Sequence, residues 1–432
     1  MQSAPWFYNL VSLGGLVVLL ALARLGGLRR GPMAWRTLAW GLGLQLAIGA
    51  LVFALPAGRG GLLVVNDAMV ALLNFSRAGI RFLFGPLAAG PGEEGSLGFI
   101  LAIHALPTII FFMALTALLY QTGLLQRVVR LFSRVFVKSL GASGAESLGV
   151  ASLIFVGVES AGMVRPFLPK FTRSEFFCLL TAAMATVASS TLGIYVATLH
   201  QTFPNIAGHL VSASLISAPA AIVVAKLMEP ETGEPLTAGR LVDPALGKYG
   251  GCMEAVIAGS NDGVKLVVGI AALLMSFLGL VALANGLLGW LAGLAGFAGF
   301  SLETLLGWLG YPFALAMGVP PADAAAVGSM LGQRVLLTEI PAYVQLGQLI
   351  ASGGLAYSRS VIIASYALCG FAHVASMAIF VGGFGALAPG RLGEWSRLGL
   401  KALWAATLAT MLTGCVAGLF ASGGATLLGL GS

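Results

Sequence analysis

Two apolar segments of this chain, residues 176–199 and 362–387, are each long enough to cross a bilayer, yet both are interrupted midway by small polar residues. The first carries Ser189, Ser190 and Thr191 at its centre. The second carries His373 and Ser376, with Gly382, Gly383 and Gly385 following. Each is preceded by a shorter apolar segment holding one acidic residue, Glu159 in the first case and Glu339 in the second. In hydrocarbon every backbone N–H and C=O needs a partner, so unwound backbone survives only where it is buried in protein or lines a wet cavity. A single break admits a simpler reading, in which Ser and Thr bond back to their own helix and bend it. Two breaks at matching places, each beside an intramembrane carboxylate, point instead to the binding site of a secondary transporter.

Composition restricts the alternatives. Of 432 residues, 58% are hydrophobic and 9% charged, too little charge to cover the surface of a soluble globule, where about a quarter of residues are charged. The 60 glycines suit membrane helices, whose close approach depends on small side chains. A net charge of +7 is not a nucleic-acid footprint here, because the basic residues sit in loops beside apolar spans without a basic helix or aromatic platform for bases. The four cysteines lie singly, with no metal-ligand spacing. No constellation of nucleophile, acid and base suggests catalysis, and no cofactor is expected.

Residues 7–25 lack a basic leader and read as a span, not a cleaved signal. Arg24, Arg29, Arg30 and Arg36 lie between that span and the next (34–55), whereas residues 1–9 carry no basic side chain, so the N-terminus is expected outside. A third span, 99–120, then runs inward to Arg127, Arg130, Arg134 and Lys138, which recur at helical spacing as a basic amphipathic helix on the inner surface. The expected fold is an all-α polytopic membrane protein with about eight spans. Residues 1–98 would hold the N-terminal spans and a periplasmic interfacial segment, and residues 99–432 the transporter core. Within the core we expect a re-entrant hairpin (about 147–167), the first broken helix (176–199), scaffold spans (about 208–317), a second hairpin (about 324–349), the second broken helix (362–387) and a last span (about 398–420). Hairpin plus broken helix occurs twice, an arrangement read as an inverted repeat whose hairpin tips meet near the midplane.

The residues that carry this pattern resemble the concentrative nucleoside transporter family. They are SGAESLGVASLIFVGVESAGMVRPFLPKFTRSEFF from Ser143, MATVASSTLGIYV from Met184, NDGVKLVVG from Asn261, VGSMLGQRVLLTEIPAY from Val327 and SYALCGFAHVASMAIFVGGFGALAP from Ser365. The resemblance implies a homotrimeric symporter of the inner membrane that moves a nucleoside inward with sodium or protons by an elevator-like motion.

It also implies site residues, several of which depart from the family pattern. The first hairpin of the family usually reads Gly-Gln-Thr-Glu-Ala-Pro and holds the base; here Val158, Glu159 and Ser160 follow Gly157. The family's Asn-Glu pair in the second hairpin appears as Thr338 and Glu339, keeping the carboxylate that holds ribose hydroxyls. In the second broken helix Gly370, Phe371 and Ala372 match, His373 replaces an Asn, and Ser376 holds a serine position. A carboxylate accepts from two hydroxyls at once, and Phe371 can pack against a ring. Glu159 is free to pair with a cationic or amino-bearing solute or with His373, which makes a non-nucleoside solute the competing reading.

Sodium would be held, by the same resemblance, at Ser190 with backbone carbonyls such as those of Val156 and Thr191. Leu153, however, occupies the position of a liganding Asn, and a hard cation loses an oxygen there. A protonatable His373 leaves proton coupling open. His104 is expected to serve helix packing, His200 and His209 to lie at the interface, and Lys265, Arg165 and Arg359 to anchor helix or hairpin ends by snorkelling.

Overall fold

The computed structural model describes residues 1–27, 31, 33–90, 93–157, 160–243, 249–294, 301–421 and 428–429, the side chains of 161, 162, 190 and 277 excepted. The described residues are helical, with no strand beyond one isolated bridge between Gln2 and Tyr357. In chain order the helices are α1 (Phe7–Leu25), α2 (Trp35–Phe53), α3 (Pro56–Phe84), α4 (Leu101–His104), α5 (Thr108–Gln121), α6 (Leu124–Leu140), α7 (Gly144–Leu153), α8 (Ala161–Val164) and α9 (Arg173–Ala185). They continue as α10 (Ser189–Leu199), α11 (Ile206–Met228), α12 (Cys252–Leu294), α13 (Leu302–Ala316), α14 (Pro321–Leu336), α15 (Glu339–Ala351), α16 (Ser358–Leu368), α17 (Val374–Leu387) and α18 (Leu392–Phe420).

Seven of the described segments are long and apolar enough to cross a membrane. Two of them, α11 and the segment ending in α18, form the centre: 89% and 83% of their most apolar stretches are buried. α12 is the opposite case. Its 43 residues span about 65 Å at 1.5 Å per residue, and only 6% of its most apolar stretch is covered. It packs against α5, where Gly259 and Gly263 leave room; a Cβ on Gly259 would stand 2.7 Å from the Met113 carbonyl oxygen. Gly310 of α13 and Gly328 of α14 approach in the same way, with 2.1 Å left for a Cβ.

Both broken helices are interrupted. α9 stops at Ala185, the backbone is extended at Thr186 and Ala188, and α10 starts at Ser189. α16 stops at Leu368, and extended backbone at Cys369 and His373 leads into α17. The two breaks meet. Gly370 lies against the Ala185 carbonyl so closely that a Cβ would sit 2.8 Å from that oxygen. The first break therefore falls on 186–188, and not on Ser189, Ser190 and Thr191 as expected; those small polar residues form the first turn of α10, where such side chains suit unpaired N–H groups.

The elements leading into each break are tied at their starts by carboxylates. Ser143–Glu146 and Thr172–Glu175 are capping boxes opening α7 and α9, and Ser143 Oγ also donates to Glu175. In the second half Asp323, on the first turn of α14, accepts from the Ala356 and Tyr357 amides at 2.9 and 3.0 Å and from Ser360 Oγ at 2.6 Å.

Two expectations change. Arg359 does not snorkel: it is buried, and its guanidinium donates to the carbonyls of Tyr8 and Gly318, to Asn9 Oδ1 and to Ser12 Oγ, pinning α1 to α16. His209 is buried too, with Nδ1 3.0 Å from the Tyr366 hydroxyl. Within residues 1–98, α3 is a single 29-residue helix, and the segment Pro56–Ala88 that contains it has the lowest mean hydropathy over its most apolar stretch, 1.2, among the seven.

Candidate functional site

A partly open cavity of about 110 Å3 lies where the interrupted elements converge. The N-cap and start of α15 supply Thr338, Glu339 and Ile340. The second break and α17 supply Phe371, His373, Ser376, Ile379 and Phe380, the first break supplies Ala188, and α10 supplies Thr191. Gly157, after α7, closes one edge, and Leu266, Ile270 and Leu273 of α12 close another. The wall is mostly apolar, so its few polar atoms set what can bind.

Glu339 is the first residue of α15 and is 3% exposed. Tyr195 of α10 donates its hydroxyl to Oε1 at 2.5 Å, and the Tyr195 ring is held by stacking on Tyr343, 4.6 Å between centroids. His373 Nε2 stands 3.0 Å from Oε2, but Oε2 has no aligned hydrogen-bond donor, so this contact is electrostatic and leaves the oxygen able to accept. The imidazole has a second task. As the N-cap of α17 it accepts the Ser376 amide on Nδ1 at 3.1 Å, which an Asn side chain also does. With Nδ1 accepting, the proton of the neutral ring is on Nε2, facing the carboxylate; this tautomer is assigned from the hydrogen-bond pattern.

Other polar groups on the wall are partly spent. Thr191 Oγ1 donates to the Ala188 carbonyl at 3.0 Å, and Ser376 Oγ donates to its own backbone at His373 O, 2.8 Å away. Thr338 Oγ1 is buried without a partner. So is Ser160 Oγ, near the cavity edge marked by Gly157. Buried polar groups are ordinarily paired, and unpaired ones facing a cavity mark where a solute or water completes the structure.

Of the expected site residues, the structure gathers Thr338, Glu339, Phe371, His373, Ser376 and Thr191 around one cavity. Val158 and Glu159 lie outside the described residues, as does the side chain of Ser190. Val156 is buried behind Gly157 and does not line the cavity. The Phe155 carbonyl is already engaged by Ser189, whose amide and Oγ donate to it at 3.2 and 2.7 Å. Leu153 is buried, and its carbonyl accepts from Thr186 Oγ1 at 3.2 Å.

Three family models match the chain: "Na+ dependent nucleoside transporter C-terminus" over residues 209–418, "Na+ dependent nucleoside transporter N-terminus" over 14–87, and "Nucleoside recognition" over 102–202. Nucleoside permease NupC of Helicobacter pylori is 33% identical over 418 residues, covering 96% of this chain and 98% of the permease. An uncharacterized transporter of Haemophilus influenzae is 35% identical over 423 residues, with 97% and 99% covered. The structure of CNTnw in an inward-facing substrate-bound state aligns with a TM-score of 0.88 at 34% identity, covering 96% of this chain and 98% of that one. The chain belongs to the concentrative nucleoside transporter family. It is a multi-pass membrane transporter and not an enzyme.

Sequence reasoning missed two groups in this transporter. Tyr195 completes the Glu339 site, and its signal was its spacing: it lies one helical turn after Thr191, on the same face of α10. Arg334, on α14, is fully buried and donates to the Ala367 carbonyl and to Thr410 Oγ1, joining α14 to the end of α16 and to α18. An arginine inside an apolar helix was the signal there.

Proposed function

We propose that this transporter imports a nucleoside or nucleoside-like solute together with a cation, and that the solute binds at the Glu339 cavity. One observation carries this reading: a buried carboxylate with a free oxygen, an unpartnered Thr338 hydroxyl and the Phe371 ring converge on one cavity from separately interrupted elements. A carboxylate suits sugar hydroxyls, since a charged acceptor roughly doubles the strength of each hydrogen bond. Phe371 offers a face for a base, and His373 and Ser376 complete the sugar side. Val158, Glu159 and Ser160 would face the base, and because Val158 neither donates nor accepts there, ordinary pyrimidine nucleosides are poor solutes.

In this reading 1–98 is an N-terminal unit in which α3 lies along the outer interface, and 99–432 is the core. α7–α8 and α14–α15 act as re-entrant hairpins related by an inverted repeat. They move with the broken helices as one elevator-type body against a scaffold of homotrimers in the plasma membrane, with the N-terminus outside. Sodium is the coupling ion: it suits the matching family models, and a His373 ring that caps α17 through Nδ1 acts as a neutral group. Its ligands would be Ser190, Thr191 and the Val156 carbonyl, weakened by the loss of an oxygen at Leu153.

A second reading, an amino-bearing or cationic solute, is favoured by the Glu339 carboxylate, the one carboxylate among the described residues of a mostly apolar wall. Thermal-shift screening separates the two, because a ligand bound to the native state raises its apparent stability. Nucleosides are expected to do so and amino sugars or cationic metabolites are not. Counterflow of labelled nucleoside in proteoliposomes then tests carriage: trans-stimulated exchange is expected, and its absence for every nucleoside contradicts the proposal.

A further inference from the structure

Far from the Glu339 cavity, α6 presents a basic stripe beside an apolar one, and from this we infer that it binds an anionic phospholipid at the membrane surface. Both ends of α6 are fixed where membrane-crossing segments end. It begins just after the Leu101–Gln121 segment, turned aside at Gly123, whose φ of 78° suits glycine. At its other end Arg36 donates to the carbonyls of Lys138 and Ser139 at 2.5 and 3.2 Å, and Thr37 Oγ1 to that of Leu140 at 2.8 Å, tying it to the first turn of α2. Its four basic side chains exclude a path through hydrocarbon. The helix, about 25 Å long at 1.5 Å per residue, therefore runs along the surface between those two ends. Trp35 and Trp40, both exposed near the start of α2, mark the same level, because tryptophan collects at the membrane–water boundary.

At 3.6 residues per turn the buried residues Leu125, Gln126, Val129, Ser133, Phe136 and Leu140 share one face of α6. The opposite face is an arc of about 100° that holds Arg127, Arg134 and Lys138 along one side and Leu124, Leu131 and Val135 along the other, all six exposed. No acidic residue lies on α6. Arg130, nearer the protein, is neutralised by Asp243 at 2.8 Å, whereas among the described residues no carboxylate pairs with Arg127, Arg134 or Lys138. Three uncompensated cations attract a phosphate group, and the apolar stripe decides what carries it. A lipid lays acyl chain against Leu124, Leu131 and Val135, whereas a soluble anion leaves them in water.

The purified full-length protein in detergent is titrated with dioctanoyl phosphatidylglycerol, with dioctanoyl phosphatidylcholine and with inorganic phosphate, and binding is read by thermophoresis. The anionic lipid should bind at least about tenfold more tightly than the zwitterionic one, and phosphate should bind far more weakly than either. That preference should shrink between about 0.1 and 1 M salt, as the screening length falls from about 10 to 3 Å. Replacing Arg127, Arg134 and Lys138 together by Gln should weaken phosphatidylglycerol about fivefold for each charge removed. The same change at Lys170, Arg240 and Arg397, exposed elsewhere, should not. Leu131→Gln keeps every charge and should still weaken the lipid severalfold. Equal affinity for the two lipids, phosphate bound as tightly as lipid, or a preference indifferent to salt overturns the inference, and these three comparisons need no variant. An α6 triple variant that binds like the wild type, or a control triple that loses as much, overturns it too.

Discussion

Nε2 of His373 and Oε2 of Glu339 face each other at 3.0 Å across the cavity, one from the N-cap of α17 and the other from the first turn of α15. The interruptions supply two helix starts pointing into one space, and a helix start favours negative charge. Glu339 therefore sits at the amino end of α15, beside the imidazole.

Glu339→Gln keeps the shape of the side chain and removes the charge. Uptake of the solute should weaken at least tenfold, roughly 1.4 kcal/mol, while yield and oligomer size of the purified protein stay as in the wild type. Uptake at the wild-type rate would remove Glu339 from the site.

Uptake should follow an inward sodium gradient and ignore an inward proton gradient, because the His373 ring holds the Ser376 amide on the nitrogen that protonation would occupy. His373→Asn should preserve that sodium dependence. Uptake driven by protons in sodium-free vesicles, with a pH response lost in His373→Asn, would establish the imidazole as the coupling group instead.

If the first hairpin has lost its base-reading groups, replacing Val158, Glu159 and Ser160 together by Gln, Thr and Glu should improve pyrimidine-nucleoside binding by an order of magnitude or more. Calorimetric titration of both proteins with uridine checks this. Tight uridine binding by the unmodified chain would mean that Val158 is no obstacle.

Glu229, just past the end of α11, links α11 to α9 and α18: Arg173 Nε donates to it at 2.8 Å and Lys401 Nζ at 2.6 Å. Burial by itself resists its ionisation, but the hydrogen bonds and charges of Lys401 and Arg173 outweigh that and hold its carboxyl below the usual range. A carboxyl depressed in the folded state contributes stability that is complete above its unfolded value, about 4.3, and is lost as pH falls through the lower folded value. Thermal stability of the detergent-solubilised protein should thus drop on acidification below about pH 4.3. Glu229→Gln should be less stable at neutral pH and show a shallower acid decline; an identical decline would locate the acid sensitivity elsewhere.

Helix existence was legible because long apolar runs have few other solutions in a membrane. Exact breakpoints were less so. The residues of the first break are Thr186, Val187 and Ala188, which look like ordinary helix interior, while the conspicuous Ser189–Thr191 run starts the next helix. What places the break is the contact of Gly370 with the Ala185 carbonyl, a relation between distant segments that no local pattern displays. Arg359 and His209 were misread for the same reason: their partners, Tyr8 to Ser12 and Tyr366, come from elsewhere in the chain. Glu339 and His373 were legible because a lone ionisable group in an apolar helix is conspicuous, whereas Tyr195 resembles a core aromatic until its hydroxyl is seen on Glu339.

The most direct test of the central claim locates the solute. A heavy-atom purine nucleoside, 2-iodo-2′-deoxyadenosine, is bound to the purified protein at saturating concentration and its iodine is placed from anomalous diffraction. The account predicts one iodine position inside the cavity bounded by Gly157, Thr338, Phe371 and Phe380, with the sugar toward Glu339 and His373, and its loss in Glu339→Gln. Iodine bound elsewhere on the protein, or bound unchanged in Glu339→Gln, would contradict it.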